Sequence, residues 1–269
     1  PNPEEPGAID LALKKAQDFG AELVIANDPD ADRLAIAIPE DGRWRRLTGD
    51  ELGLLLGAEV AERAAQTGRR GTLACSIVSG SALAAVAKQN GLDYRETLTG
   101  FKWISKVPAL IFGYEEALGY CINPEQVPDK DGISAAALAV VIAARLKAEG
   151  SSILERLDAL GRRYGYFSTG QISIRVTDLS LIQRTMQHLR VHPPLKLAGA
   201  AVEVTDLNQA TASLAATDAI RLNLADGGRV IARPSGTEPK LKCFLQARGE
   251  TARSASIRLT ELESALREY

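Results

Sequence analysis

The chain has 269 residues, 45% hydrophobic and 25% charged, with a formal net charge of -2. That is the composition of an ordinary globular protein of one to three domains, and it excludes the broad basic field that nucleic acid would require. The longest apolar stretch, 133–146, falls short of the ~20 residues of a membrane-spanning helix, so no membrane partner is expected.

In chain order, 7–19 predicts a helix stopped by Gly20, 22–26 a short buried strand, and 33–38 a second strand ending at the Asp41-Gly42 turn. The pattern restarts at Thr48, with Thr48 or Asp50 as N-cap of a helix reaching Thr67. Strand 72–78, helix 81–90, strands 92–97 and 110–114, and an alanine-rich buried helix over 132–149 follow. Alternating strands and helices predict a layered α/β domain with a mainly parallel sheet, whose strand-end loops carry ligand groups. Residues 150–163 read as a linker containing a helix. Beyond it come long alternating runs at 166–176, 201–206, 219–224, 228–233 and 240–248, with helices from Asp178 and over 251–267. This predicts an α+β domain whose antiparallel sheet is covered on one face.

The cysteines Cys75, Cys121 and Cys243 are widely spaced, without a C-x-x-C pair. Buried thiols in a reducing compartment fit this pattern better than a zinc ribbon or a disulfide framework. His188 and His192 have helical i,i+4 spacing, but Pro193-Pro194 end any helix there and no third ligand is near. Both read as surface residues.

Three loops carry chemistry. In Asn27-Asp28-Pro29-Asp30-Ala31-Asp32-Arg33 the carboxylates stand at every second residue after an apolar strand. If the backbone is extended they converge on one point, where a hard cation such as Mg²⁺ would relieve their repulsion. An EF-hand is excluded by Arg33 and Pro39 at its sixth and twelfth positions; a solvated acidic turn is the competing reading. Arg233-Pro234-Ser235-Gly236-Thr237-Glu238-Pro239-Lys240 joins two alternating runs and combines backbone amides, hydroxyls and two cations, the makings of an anion cradle. An ordinary hairpin turn uses the same residue types. Glu115 and Glu116, between Gly113 and Gly119 after an apolar strand, suit a site for vicinal sugar hydroxyls, or else form a surface loop. Ser79-Gly80-Ser81 reads more simply as a helix start than as a substrate contact.

With these loops in this order, the chain resembles the α-D-phosphohexomutase family, the phosphoglucomutases and phosphomannomutases. Asp28, Asp30, Asp32 and Arg33 match its metal loop, and Glu115 and Glu116 its sugar loop, with Ala117 where many members have serine. Arg233, Ser235, Gly236 and Thr237 match its R-x-S-G-T phosphate loop. Thr97-Leu98-Thr99-Gly100-Phe101-Lys102-Trp103 is similar to the segment whose lysine faces substrate. Together with Asp129-Lys130-Asp131-Gly132, the pattern is most similar to the phosphoglucomutase-2-like branch.

The resemblance implies a partial α/β domain II over 1–42 with the metal loop and a complete layered α/β domain III over 43–150 with the sugar loop. A linker over 151–167 and an α+β domain IV over 168–269 follow, the latter an antiparallel sheet covered by two helices and bearing the phosphate loop. It implies that the chain is a fragment without the N-terminal phosphoserine domain, since no serine is followed by His-Asn-Pro, and that the fragment alone is inactive. The implied activity is a cytoplasmic, Mg²⁺-dependent mutase moving a phosphoryl group between O1 and O6 of a hexose phosphate, through a phosphoserine and a bisphosphorylated sugar. Asp28, Asp30 and Asp32 would hold the metal, and Arg33 and Lys102 would serve the reacting groups. Thr99, Gly100, Glu115 and Glu116 would hold the sugar, with Glu116 either assisting or bracing the loop. Arg233, Ser235, Gly236, Thr237 and Lys240 would clamp the second phosphate. A phosphopentomutase, a non-catalytic sugar-phosphate and metal binding module, and a metal-assisted phosphatase are the alternatives. The last would need a nucleophile or second metal that the sequence does not offer.

Overall fold

The computed structural model describes residues 2–210, 214–236 and 238–269. The chain divides into two compact units, 1–160 and 161–269. In the first, α1 (Asp10–Asp18) precedes an antiparallel sheet of β1 (Val24–Ala26), β2 (Ala35–Glu40) and β3 (Arg43–Arg46). β1 is shorter than the sequence suggests and only half-buried, because Ile25 faces outward while Val24 packs against Ala16 and Ala37. β3 carries this sheet past position 42 and pairs with β2 from Ala37↔Arg46 to Glu40↔Arg43 across the Asp41-Gly42 turn.

The rest of the first unit is built on a four-stranded sheet in the order β5 (Asp93–Thr97), β4 (Thr72–Ser76), β6 (Leu110–Glu115), β7 (Gly119–Cys121). The first three strands are parallel, and β7 returns antiparallel to β6. β4 is buried at every residue, as expected for a strand covered on both faces. α2 (Gly49–Thr67) begins with a full capping box between Thr48 and Glu51, worth about 1 kcal/mol, and packs on β6. α3 (Ala82–Gln89) and the short α4 (Phe101–Ile104) complete the packing with α5 (Gly132–Ala148).

α5 differs from the expected buried helix. Gly132, Ala135, Ala139, Ile142 and Leu146 form one buried stripe, while Ile133, Val140 and Val141 are exposed. An alanine-rich run carries no polar residues to mark its outer face. α6 (Ile153–Tyr164) crosses the division between the units.

The second unit is an antiparallel sheet in the order β8 (Tyr166–Arg175), β13 (Lys240–Gly249), β12 (Arg229–Pro234), β11 (Ile220–Leu224), β10 (Ala200–Asp206), β9 (Lys196–Leu197). α7 (Leu179–Val191), capped by Asp178, packs on β11 and β12 and places Ile182, Met186 and Leu189 at helical spacing in the core that holds Leu222, Val230 and Ala232. α8 (Ala252–Glu268) adds Leu262 to the same core. The expected α+β domain with two covering helices is therefore present. The three cysteines are buried thiols outside any disulfide, and burial pushes the thiols of Cys121 and Cys243 up to about 12 and about 11. His188 and His192 are exposed, with His192 at the helix C-cap. Among the described residues no helix is long and apolar enough to cross a membrane.

Candidate active site

The metal loop is a turn rather than an extended strand. The Ala31 amide donates to the Asp28 carbonyl at 3.0 Å, and Ala31 sits at φ 59°, the left-handed region that costs a residue with a Cβ. The turn still brings Asp28, Asp30 and Asp32 together, with one carboxylate oxygen of each within 4.8 Å of the others. Oxygens sharing one small divalent ion at ~2.1 Å lie about 3–4 Å apart, so this donor set fits such an ion. Asp32 Oδ1 supports that fit, being buried with no hydrogen-bond partner, a costly arrangement unless a cation faces it. Arg33 closes the turn: its amide donates to Asp28 Oδ1 at 3.0 Å, and its guanidinium lies 3.6 Å from Asp28 Oδ2.

Distant segments hold this loop in place. Asn27 Nδ2 donates to the Arg33 carbonyl at 2.6 Å, the Leu34 amide donates to the Leu118 carbonyl at 3.0 Å, and the Gly132 amide donates to the Ala31 carbonyl at 3.1 Å. A Cβ at Gly132 would stand 2.3 Å from the Arg33 carbonyl and 2.7 Å from that of Ala31, so only glycine allows α5 to start against the loop.

Gly119 joins the metal loop to the sugar loop. It pairs with Glu115 across the β6–β7 hairpin and forms an isolated bridge with Arg33. A Cβ there would meet Phe101 at 2.9 Å and Lys130 at 3.2 Å. Glu115 is half-buried, and its Oε1 accepts from the Gly100 amide at 2.5 Å. The Thr99-Gly100 turn and Glu115 are thus brought together. Lys102, in α4, is exposed, with its ammonium 5.7 Å from the centre of the Trp103 ring.

Glu116 points the other way. Its Oε2 accepts from Ser76 Oγ at 3.2 Å and Ser79 Oγ at 2.9 Å, and its amide donates to Ser79 Oγ at 3.1 Å. Both serines are fully buried, so Glu116 braces the loop from beneath. Ser79, read from sequence as part of a helix start, belongs to this brace, and Ser81 is the N-cap residue of α3 but makes no side-chain capping hydrogen bond. Asp50 completes the network by accepting from the Gly80 amide at 2.6 Å and the Tyr114 hydroxyl at 2.9 Å. The sequence reading offered Asp50 only as an N-cap candidate and gave Ser76 and Tyr114 no role, because each lies inside a regular element and only the fold brings them to Glu116.

Burial, reinforced by Asp50 and Glu115, raises the Glu116 carboxyl to about 7, against the lowering effect of Ser79. A carboxyl raised on folding stabilises fully below its unfolded value near 4.5, and that stability is lost as pH rises through about 7. Replacing Glu116 with Gln should therefore flatten the pH dependence of melting between pH 5 and 8, by on the order of 2 kcal/mol. Equal pH dependence in both proteins, followed by calorimetry, would show that the group is not strained.

The anion-cradle motif lies in the second unit, as the loop between β12 and β13. Arg233 is half-buried and pairs with Lys242, while the Ser235 amide donates to the Lys240 carbonyl at 2.8 Å. Gly236 is exposed, and Thr237 lies outside the described residues. Lys240 is engaged by Glu238 at 2.8 Å, which also takes Arg175 at 3.0 Å. Glu238 therefore lies between Lys240 and Arg175, and its hydrogen bond to Lys240 leads the effects holding it below the usual carboxylate range.

The chain thus combines a three-carboxylate turn wired to an acidic loop on a layered α/β sheet with, in its second unit, an antiparallel α+β sheet whose β12–β13 hairpin carries Arg233 and Lys240. Known proteins share these parts in this order. Residues 1–42 match the phosphoglucomutase/phosphomannomutase alpha/beta/alpha domain II, 48–162 match domain III, and 200–264 match the C-terminal domain. A probable phosphomannomutase of Haemophilus influenzae is 48% identical over 99% of this chain and 54% of its own length. A phosphopentomutase of Homo sapiens is 32% identical over 100% of this chain and 50% of its own. The crystal structure of parafusin, a Paramecium phosphoglucomutase, superposes with a TM-score of 0.73 at 21% identity, covering 95% of this chain and 47% of that one. A Thermus thermophilus putative phosphomannomutase gives 0.66 at 19%, covering 98% and 50%. The chain belongs to the phosphoglucomutase/phosphomannomutase family, the α-D-phosphohexomutases, and spans about half the length of the curated relatives it matches.

Proposed function

We propose that the complete protein is a phosphosugar mutase, interconverting a sugar 1-phosphate with its terminal phosphate isomer through a phosphoserine supplied from outside this chain and a bisphosphorylated intermediate. The observation that carries this reading is the convergence of Asp28, Asp30 and Asp32 around the partnerless oxygen of Asp32, next to a sugar loop tied to it through Gly119. Mg²⁺ held there would withdraw charge from the phosphoryl group as it transfers.

The chain's own residues take the other roles. Arg33 exchanges part of its contact with Asp28 for the phosphoryl oxygens. Glu115 grips vicinal hydroxyls in either orientation of the sugar, Thr99 and Gly100 orient it, and Glu116 keeps its loop fixed from below. Lys102 approaches the reacting hydroxyl as a fixed charge or proton carrier. Arg233, Ser235, Gly236, Thr237 and Lys240 hold the spectator phosphate, with Lys240 released from Glu238. The substrate is a sugar phosphate rather than nucleic acid or a membrane, and buried cysteines outside any disulfide suit the cytoplasm.

Hexose phosphates are the first reading. Ala117, in place of a sugar-contacting serine, together with relatives named phosphopentomutase, favours a pentose phosphate as the second. Rates with glucose, mannose and ribose 1-phosphates at equal concentration, assayed with the complete protein, decide between them. Preference for ribose 1-phosphate would move the assignment to the second reading, and no turnover of any of the three would overturn both.

A further inference from the structure

Lys130 sits directly before α5, and its ammonium lies 2.5 Å from Asp32 Oδ2. The other oxygen of the same carboxylate, Oδ1, is the buried atom without a partner. Asp32 is therefore held on one side and open on the other. We propose that Lys130 is a positioning residue for the metal: it holds Asp32 so that Oδ1 faces the cation, and its charge limits how tightly that cation binds. This inference rests on the metal reading above.

Several contacts distinguish this pair from an ordinary surface ion pair. The Lys130 amide donates to Asp129 Oδ1 at 2.8 Å, and the Asp131 amide donates to the Tyr120 carbonyl at 2.8 Å. Asp131 then caps α5 through the amides of Ile133 and Ser134, and the Gly132 amide reaches back to Ala31. The backbone that follows Lys130 is thus bonded to the β6–β7 hairpin and to the metal loop. The lysine stem crosses Gly119, where a Cβ would come within 3.2 Å of it, so the glycine that links the metal and sugar loops also clears the path for Lys130. Its side chain and that of Asp32 are each only 25% exposed, which limits screening by solvent and salt. Asp129, 4.0 Å away and 61% exposed, competes weakly for the same ammonium.

The consequence for the metal follows from charge. Three carboxylates alone would bind a divalent ion tightly and release it reluctantly, whereas a lysine fixed on one of them repels the incoming ion across a few ångströms. Removing that charge while keeping the bulk should tighten metal binding by about tenfold at low ionic strength. Because the third carboxylate is also freed to rotate, the coordination should become less uniform.

The test is Mn²⁺ binding to the complete protein, followed by calorimetry and by the electron paramagnetic resonance of bound Mn²⁺, in wild type, Lys130→Met, Lys130→Arg and Asp32→Asn. The expected result is a Kd about tenfold lower for Lys130→Met, a difference that shrinks as salt is added, with broadened resonance lines. Lys130→Arg should stay near wild type, and Asp32→Asn should bind much more weakly. A Kd that is unchanged or higher in Lys130→Met, with wild type binding normally, overturns the role of Lys130 alone. Failure of the wild type to bind Mn²⁺, or equal binding by Asp32→Asn, overturns the metal reading as well.

Discussion

Replacing Asp30 with Ala in the complete protein should lower kcat by about a thousandfold or more while KM changes by less than about threefold. Asp30 is the exposed member of the triad, so its loss removes little packing and leaves the fold intact. What it removes is one of the oxygens that fix the cation, and the cation's charge matters most while the phosphoryl group is in transit. Arg233→Ala should behave in the opposite sense, raising KM by about tenfold or more with kcat within a few-fold, because the phosphate it would hold does not react in that half of the cycle. Steady-state kinetics of the two variants separate these roles. Similar effects of both substitutions on both parameters would mean that the two loops have been assigned wrongly.

Gly49→Ala should destabilise the first unit by about 3 kcal/mol or more, lowering its melting temperature by about 10 °C. At the start of a helix, alanine is ordinarily the better residue. Here the added Cβ would stand 1.7 Å from the Glu116 carbonyl oxygen. Both partners are backbone, and Gly49 is held further by the Tyr120 hydroxyl, which donates to its carbonyl at 3.1 Å. The strain falls on the loop that carries Glu115 and Glu116, so sugar binding should weaken along with stability. Gly236→Ala is the control for stability. Nothing among the described residues lies within 4 Å of its Cβ position, and its melting temperature should match wild type. An unchanged melting temperature for Gly49→Ala, measured by calorimetry, would mean that α2 does not pack against the sugar loop as described.

The regular elements were legible where a local signal was strong. The N-cap candidates Thr48 and Asp50 announced α2, Asp178 announced α7, and the alternating run 166–176 announced β8. β3, β7 and β9 were not foreseen, since two to four residues are too few for periodicity to register, and their pairing partners decide them. The metal loop shows both sides of the problem. Its residue types pointed to a cation, yet the extended geometry assumed for it was wrong: the chain turns at Ala31, a turn closed by the Asp28 carbonyl and bonded from far along the chain by Gly132. Glu116 was ambiguous for the same reason, because only the fold brings Ser76 and Ser79 beneath it. Lys130 appeared only as part of a resemblance. Its pairing with Asp32 depends on tertiary contact and has no local signature.

The most direct measurement is ³¹P nuclear magnetic resonance of a sugar 1-phosphate incubated with the complete protein, Mg²⁺ and a trace of the matching sugar bisphosphate. The proposed function predicts that the 1-phosphate resonance gives way to that of the terminal phosphate while inorganic phosphate does not rise, that chelation stops the conversion, and that added Mg²⁺ restores it. Release of inorganic phosphate in place of the isomer, or isomerisation at full rate in the presence of the chelator, would contradict it.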